Sequence, residues 1–352
     1  MSRTSFSARL TATLLATVLT FGAAGAAEWD GGKLKPLADG FPARPIVLLV
    51  VDEPGSPDSI YASQLAEAAT ALSPVPVVVE HRVDFTNFGT WEAIAWVNDQ
   101  DGLGPEGYIN LVNTLPGGVI DLLAVDIESA TGVGFDDYNP ILTSEHTPFI
   151  LHQRADAPWG KTLDEFVAYA KEHPDTLRHV TGGPGGGQDA ALRVWAKTLG
   201  FTVKDIIGGS TGERALAVAA GEGDFTVSPF DVFSTHYEAG RVVPLAGSGS
   251  DPLPEPFSDL PVAESFGVTN DPFGVIRGVA TGSDVSEEHR DWLFALLSKA
   301  AESPDFIEKR GRVPGTSQAL LDHEGVVTLA RSAHDQVLPI FQELGIYWAD
   351  KK

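Results

Sequence analysis

Short runs of β-branched and apolar residues alternate with longer helical stretches along almost the whole of this chain. That order commits it to βα units, in which a helix covers each strand and neighbouring strands run mostly parallel. Ile46 to Val51 is an unbroken apolar run and reads as a strand buried on both faces. The helix after it, capped by Asp58 or Ser59, carries Ile60, Leu65 and Ala68 on one side. Val75 to Glu80 and Tyr108 to Val112 are further strands, with a helix over Thr90 to Val97 between them. A second set of units begins after Asn139, where Pro140 to Leu151 can run as strand across a lobe boundary. Thr162 and Glu165 make a capping box for a helix through Phe166, Tyr169 and Ala170. Strands follow at His179 to Thr181, Lys204 to Ile207 and Phe225 to Val227, separated by helices over Asp189 to Leu199 and Glu213 to Ala220. Gly247 to Asn270 is rich in Pro, Gly and Ser and suits a crossing back between lobes, after which Phe273 to Ala280 is a last strand. Ser286 to Ala301 and Ser317 to Leu344 are expected to be helical, and no fixed-period repeat is visible.

A leader is read from Arg3 and Arg9, the apolar run Leu10 to Phe21 and the small residues Ala24-Gly25-Ala26. That is the order of a secretory signal, with cleavage near Ala26 or Ala27 and a periplasmic destination. Without it about 325 residues remain, more than one hydrophobic core usually spans, so two lobes are expected. The boundaries are 1–27 for the signal peptide, 28–40 for a lead-in segment, 41–142 plus 272–352 for one lobe and 143–271 for the other, crossover included. Past the leader no stretch reaches the roughly 18 consecutive apolar residues of a membrane span. The absence of cysteine removes disulfides, thiol nucleophiles and thiolate metal sites together. A net charge of −24 repels nucleic acid and anionic membranes, so neither is expected as a partner.

Two loops stand out because each ends a buried strand and opens a helix: Asp52-Glu53-Pro54-Gly55-Ser56-Pro57-Asp58-Ser59 and Thr181-Gly182-Gly183-Pro184-Gly185-Gly186-Gly187-Gln188. Helix N-termini expose free backbone N–H groups, and glycine there lets a carboxylate or phosphate approach the main chain. In open α/β sheets ligands sit at the carboxyl ends of strands, where both loops lie. Gly185 to Ala190 also fits the dinucleotide spacing G-x-G-x-x-A, but only within a glycine run, and no cofactor is expected; no G-K-[ST] follows either loop, so a P-loop is absent. Gly208-Gly209-Ser210-Thr211-Gly212 has the G-x-S-x-G spacing of a nucleophile elbow, with Asp231 and then His236, His289, His323 or His334 in hydrolase order. No His-Gly-Gly stretch supplies an oxyanion loop, so the plainer reading is a turn capping the next helix. The nine histidines are scattered, no H-E-x-x-H occurs and Asp136-Asp137 lacks an EF-hand frame, which leaves no expected metal site and no expected catalytic residue.

Several segments resemble, in order, the substrate-binding components of tripartite tricarboxylate transporters, the TctC or Bug family. Phe41-Pro42-Ala43-Arg44-Pro45-Ile46 is similar to that family's Y-P-x-[KR]-P-I, Val77-Val78-Val79-Glu80-His81-Arg82 to V-V-V-E-N-R, and Asn87-Phe88-Gly89-Thr90 to N-I-G-T. Pro105-Glu106-Gly107-Tyr108 resembles P-D-G-Y, Phe166 to His173 resembles the helix before the second glycine loop, and Ala239-Gly240-Arg241 and Leu260 to Ser265 resemble A-G-K and D-V-P-T-x-x-E-S.

The resemblance implies a two-lobed α/β periplasmic binding protein of the type II, Venus-flytrap kind, with doubly wound mostly parallel sheets and a hinge of crossing strands. It implies a monomer, not an enzyme, that captures a small organic acid, a carboxylate or zwitterion, for the permease subunits of a membrane transporter. The glycine-bearing loops would act as pincers, so the candidate ligand-binding residues are Asp52, Glu53, Gly55, Ser56, Asp58 and Ser59 with Thr181, Gly182, Gly183, Gly185, Gly186, Gly187 and Gln188, completed by Thr114 and Ser228. An exported serine hydrolase using Ser210, or a receptor feeding a sensor kinase, are the alternatives. The first loop is acidic where the family is apolar, the second ends in Gly186-Gly187-Gln188 in place of serines, and Gly208 to Thr211 lacks the family's aromatic residue. A ligand carboxylate about 4 Å from Asp52 or Glu53 would meet repulsion of about 4 kcal/mol at an effective dielectric near 20. Those side chains therefore face solvent, pair with a positive group on the ligand, or carry a proton.

Overall fold

The computed structural model describes residues 27–85, 88–269 and 271–351. Apart from Ala27, the leader lies outside them, as does Asn87 of the N-I-G-T-like segment. Two sheets with helices on their faces carry the fold. The first has six strands in the order Ser317–Leu321, Asn139–Thr147, Val275–Thr281, Ile109–Leu115, Ile46–Val50 and Val77–His81. The second has five, in the order Val242–Gly247, Phe149–Arg154, Phe225–Pro229, Arg178–Thr181 and Lys204–Ile207. Each sheet is parallel on one side and antiparallel on the other. Ile46–Val50 runs parallel to both of its neighbours, whereas Val275–Thr281 runs antiparallel to both of its own. Ile46–Val50 is an interior strand, paired on both sides and buried, as its continuous apolar run requires.

The chain passes between the sheets at Pro148, within the Pro140 to Leu151 run but beyond the expected boundary at 142/143, which falls inside a strand of the first sheet. Asn139–Thr147 belongs to the first sheet, and after Pro148 the chain enters Phe149–Arg154 of the second. It returns through the Pro- and Gly-rich stretch after Val242–Gly247 to reach Val275–Thr281. A third link is helical: in His323–Glu343, Val326 and Ala330 pack into a core on the first sheet, while Val337, Ile340 and Phe341 pack with Trp195 and Phe225 of the second.

Four local readings change. Helix Pro57–Leu72 is capped by Ser56, whose hydroxyl accepts from the Ser59 N–H at 3.1 Å, with Pro57 preset at the first helical position. The expected helix from Ser317 begins later: Ser317–Leu321 is an edge strand on Asn139–Thr147, and Asp322 caps the helix by accepting from the Gly325 N–H at 2.9 Å. The lead-in contains a hairpin of Trp29–Asp30 and Lys33–Leu34, docked by burial of Leu34, by Lys33 Nζ donating to the Ser73 carbonyl at 2.7 Å, and by Trp292 Nε1 donating to the Lys35 carbonyl at 2.7 Å. Finally, Gly117–Ala124, behind Leu115-Pro116, is a helix that buries Val119, Ile120 and Leu123.

Candidate ligand-binding cavity

The second glycine loop joins strand Arg178–Thr181 to helix Gly187–Leu199. Gly183 and Gly185 hold φ of 111° and 112°, conformations that only glycine takes without strain. A Cβ on Gly185 would also stand 2.7 Å from the Ala124 methyl, so the loop lies directly against helix Gly117–Ala124. Thr181 Oγ1 shapes the turn, accepting from the Gly183 N–H at 3.2 Å and donating to Asp189 Oδ1 at 3.2 Å. Gly186 is the N-cap residue, with no side chain to occupy the first amides of the helix.

Loop and helix enclose a cavity of about 310 Å³, lined by His179 to Gly186, Gln188, Asp189, Thr226 and Val227 from the second sheet, by Arg214, and by Asp121, Ala124 and Val125. That volume suits a small organic molecule. Arg214 extends from helix Thr211–Ala219 and donates to the Gly209 carbonyl at 3.1 Å, to Thr211 Oγ1 at 2.8 Å and to Gln188 Oε1. A Cβ at Gly182 would occupy the place of this guanidinium. All three acceptors are neutral, and among the described residues Arg214 has no carboxylate partner within salt-bridge distance. Burial disfavours its charge, which the more distant Asp189 only partly offsets. Asp121 opens onto the same cavity with its side chain largely exposed to solvent, and has neither hydrogen-bond nor ion-pair partner among the described residues; partial desolvation pushes its carboxyl above its ordinary value.

The neighbouring charges are paired. Asp189 accepts from Arg193 Nη2 at 3.0 Å, and Asp205 takes both Arg193 and His179 Nδ1, the latter at 3.0 Å. His179, Asp189 and Asp205 could place ligand atoms within 4.8 Å of one another, but Arg193 already supplies the cation between the two carboxylates. Burial holds His179 below its ordinary value, which the bond to Asp205 and the charge of Asp189 only partly offset.

The first loop is built differently. Asp58 accepts from Arg277 Nε at 2.6 Å; the same arginine donates to buried Glu145 at 2.6 Å, and Glu145 also accepts from Arg310 Nε at 2.6 Å and Nη2 at 2.8 Å. This network fastens helix Pro57–Leu72 to the first sheet. Ser59 Oγ accepts from the Gly55 N–H at 3.1 Å and lies 2.8 Å from His81 Nε2. Asp52 and Glu53 are exposed, and Asp52 is pushed above its ordinary value by partial burial and by the adjacent Asp58, against the pull of Arg277.

Of the residues expected at the site, the cavity brings together Thr181, Gly182, Gly183, Gly185, Gly186 and Gln188, with Gly187 starting the helix behind them. Asp52, Glu53, Gly55, Ser56, Asp58 and Ser59 do not line it. Neither does Thr114, which faces Arg277 in the strand ladder, nor Ser228, whose buried hydroxyl has no partner among the described residues. Arg214 and Asp121 were missed. Ser210 completes a capping box with Glu213, accepting from its N–H at 3.4 Å while the Glu213 carboxylate accepts from the Ser210 N–H at 2.6 Å.

No family model matches the chain. A UPF0065 protein of Bordetella pertussis is 24% identical over 319 residues, spanning 88% of this chain and 92% of its own. Among solved structures, a TctC solute-binding protein from Polaromonas superposes with a TM-score of 0.70 at 21% identity, covering 86% of this chain and 99% of its own. The chain has the TctC solute-binding fold. The same fold recurs in R. palustris Rpa4515, solved with adipate (TM-score 0.66, 17% identity, 87% and 98% coverage). It recurs again in MatC of Rhodopseudomonas palustris, solved with bound malate (TM-score 0.62, 19% identity, 85% and 99% coverage). The resemblance read from the short motifs is thus matched at the level of the fold, and the two sheets are those of that fold.

Proposed function

We propose that this protein is an exported receptor, not an enzyme, that captures a small organic acid in the cavity under the second glycine loop and delivers it to the permease of a tripartite tricarboxylate-type transporter. The observation that carries the reading is the arrangement of Arg214, a half-buried guanidinium without a carboxylate partner among the described residues, beside the uncapped start of helix Gly187–Leu199. A carboxylate placed there gains a charge-assisted hydrogen bond together with the partial positive charge of the helix end. Adipate and malate in the two R. palustris proteins support the ligand class. The capping role of Ser210 speaks against a hydrolase.

Gly186→Ala is the direct test. Gly186 lines the cavity at an ordinary φ of −77°, and nothing stands within 4 Å of where its Cβ would be, so a methyl there obstructs the ligand without straining the fold. In calorimetric titrations with a panel of mono- and dicarboxylates, the affinity of whichever acid binds should fall at least tenfold. Unchanged affinity with an unchanged melting temperature would remove the loop from the site.

A further inference from the structure

We infer that Trp348 is a positioning residue of the binding cavity: its indole N–H fixes helix Gly117–Ala124 against the second glycine loop. The inference rests on the receptor reading above and gives the C-terminal segment a part in it. Helix Gly117–Ala124 supplies one wall of the cavity through Asp121, Ala124 and the adjoining Val125, and a Cβ on Gly185 would stand 2.7 Å from the Ala124 methyl. A small displacement of this helix therefore changes the width of the cavity.

The helix does little to fix itself. It has 8 residues, opens on Gly117-Gly118, lacks a side-chain hydrogen bond at its N-cap residue Pro116, and gives way to extended backbone at Val125. Glycine is a poor helix former, and helices this short are marginal without outside contacts. Besides the burial of Val119, Ile120 and Leu123, two indoles hold it. Trp91 Nε1 donates to the Gly118 carbonyl at 2.7 Å in the first turn, and Trp348 Nε1 donates to the Leu122 carbonyl at 2.8 Å in the last. Leu122 is one of the last four residues, whose carbonyls find no N–H within the helix. The Trp348 bond thus satisfies an acceptor at the end that lines the cavity. The segment that carries Trp348 is itself anchored. The Ile346 and Tyr347 N–H groups donate to the Phe341 carbonyl at 2.9 and 3.1 Å, and Phe341 shares a core with Ile120 and Leu123 of the wall helix.

The test is Trp348→Phe, which keeps an aromatic ring and removes the donor. Acetate, succinate, malate, glutarate and adipate are titrated calorimetrically into wild type and variant, and hydrogen exchange over residues 117–125 is followed by mass spectrometry. One lost hydrogen bond to a backbone carbonyl corresponds to an affinity about twofold to tenfold lower for whichever acid binds wild type. Exchange over 117–125 should quicken in the free variant and return to the wild-type rate at saturating acid, a recovery that a merely structural bond would not show. Trp292→Phe, which removes the indole bond to the Lys35 carbonyl, should leave affinity unchanged. Trp348 is half-buried, so its variant should fold, which near-ultraviolet circular dichroism checks. Wild-type affinity in Trp348→Phe, exchange that stays fast with acid bound, or a variant that does not fold would overturn the inference and leave the receptor reading intact. An equal loss of affinity in Trp292→Phe would do the same. No heat from any of the five acids with wild type would overturn both.

Discussion

Replacing Arg214 with glutamine should separate a binding residue from a structural one, because the two roles move stability and affinity differently. In the ligand-free protein Arg214 is held by the Gly209 carbonyl, the Thr211 hydroxyl and the Gln188 amide oxygen, with its charge half-buried and unmatched by a neighbouring carboxylate. A glutamine amide can donate to one of those oxygens and removes the desolvated charge, so the free protein should melt within about 2 °C of wild type or higher. A ligand carboxylate would lose a hydrogen bond to a charged donor, a contribution of about 1.5–3 kcal/mol, which weakens binding about tenfold to more than a hundredfold. At ligand concentrations about 100 times the wild-type Kd, the wild-type protein gains about 2.7 kcal/mol of stability; a roughly thirtyfold weaker variant would gain only about 0.9 kcal/mol. Thermal melts with and without ligand, together with calorimetry, read both quantities. A variant that melts several degrees lower when free yet binds as wild type would refute the reasoning and make Arg214 a strut between the glycine loop and helix Thr211–Ala219.

Two further outcomes test the charges that shape the fold. Glu145→Gln leaves Arg310 without its carboxylate and Arg277 with Asp58 alone, and since Glu145 is 1% exposed the loss should be about 3–5 kcal/mol in urea unfolding; Glu308→Gln, in a surface pair with Arg312, should cost less than about 1 kcal/mol. Equal effects would show that the Glu145 network does not hold helix Pro57–Leu72 in place. Burial pushes Asp271 up to about 6 from an ordinary 3.8, although Trp195 Nε1 and the Gly249 N–H donate to it at 3.0 and 2.7 Å. Between those values the native state binds the proton more tightly than the unfolded chain, so the stability it contributes is fully present below about pH 4 and is lost as pH rises through about 6. The stability of wild type minus that of Asp271→Asn should therefore shrink from pH 4 to pH 6, and a difference independent of pH would exclude Asp271 as the titrating group.

The sequence is most informative where local chemistry and tertiary packing agree. The Ile46 run is an interior buried strand, Thr162 and Glu165 form their capping box, and the glycine loop forms at the end of a strand. Where tertiary pairing decides, the sequence misleads: Ser317–Leu321 has the residues of a helix start, but Asn139–Thr147 offers it an edge to pair with. The first loop was expected at the ligand from its position after a strand. Its Asp58 is instead consumed by Arg277, a partner 219 residues away that no local pattern announces. Arg214 was passed over because Gly208-Gly209-Ser210-Thr211-Gly212 drew attention to the serine. The usable signal was the glycine at 182, whose missing side chain makes room for the guanidinium. Helix Gly117–Ala124 went unassigned because it opens on a Gly-Gly pair, although Val119, Ile120 and Leu123 keep helical spacing.

The cavity lies between Arg214 and the end of helix Gly117–Ala124, and that placement bears on how binding is sensed from outside. The two strand crossings tie the sheets together at one place, and helix His323–Glu343 ties them at another by packing into both cores. A ligand held only by the glycine loop would interact equally well with any relative position of the sheets and could shift none of them. One that touches Arg214 and the Ala124–Val125 end of the facing helix together spans elements from both, so its binding free energy depends on their separation, and it favours the arrangement in which both contacts are made. Arg214→Gln should then abolish any ligand-dependent change in small-angle scattering that wild type shows, and a change that persists in the variant at saturating ligand would show that Arg214 takes no part in the bridging.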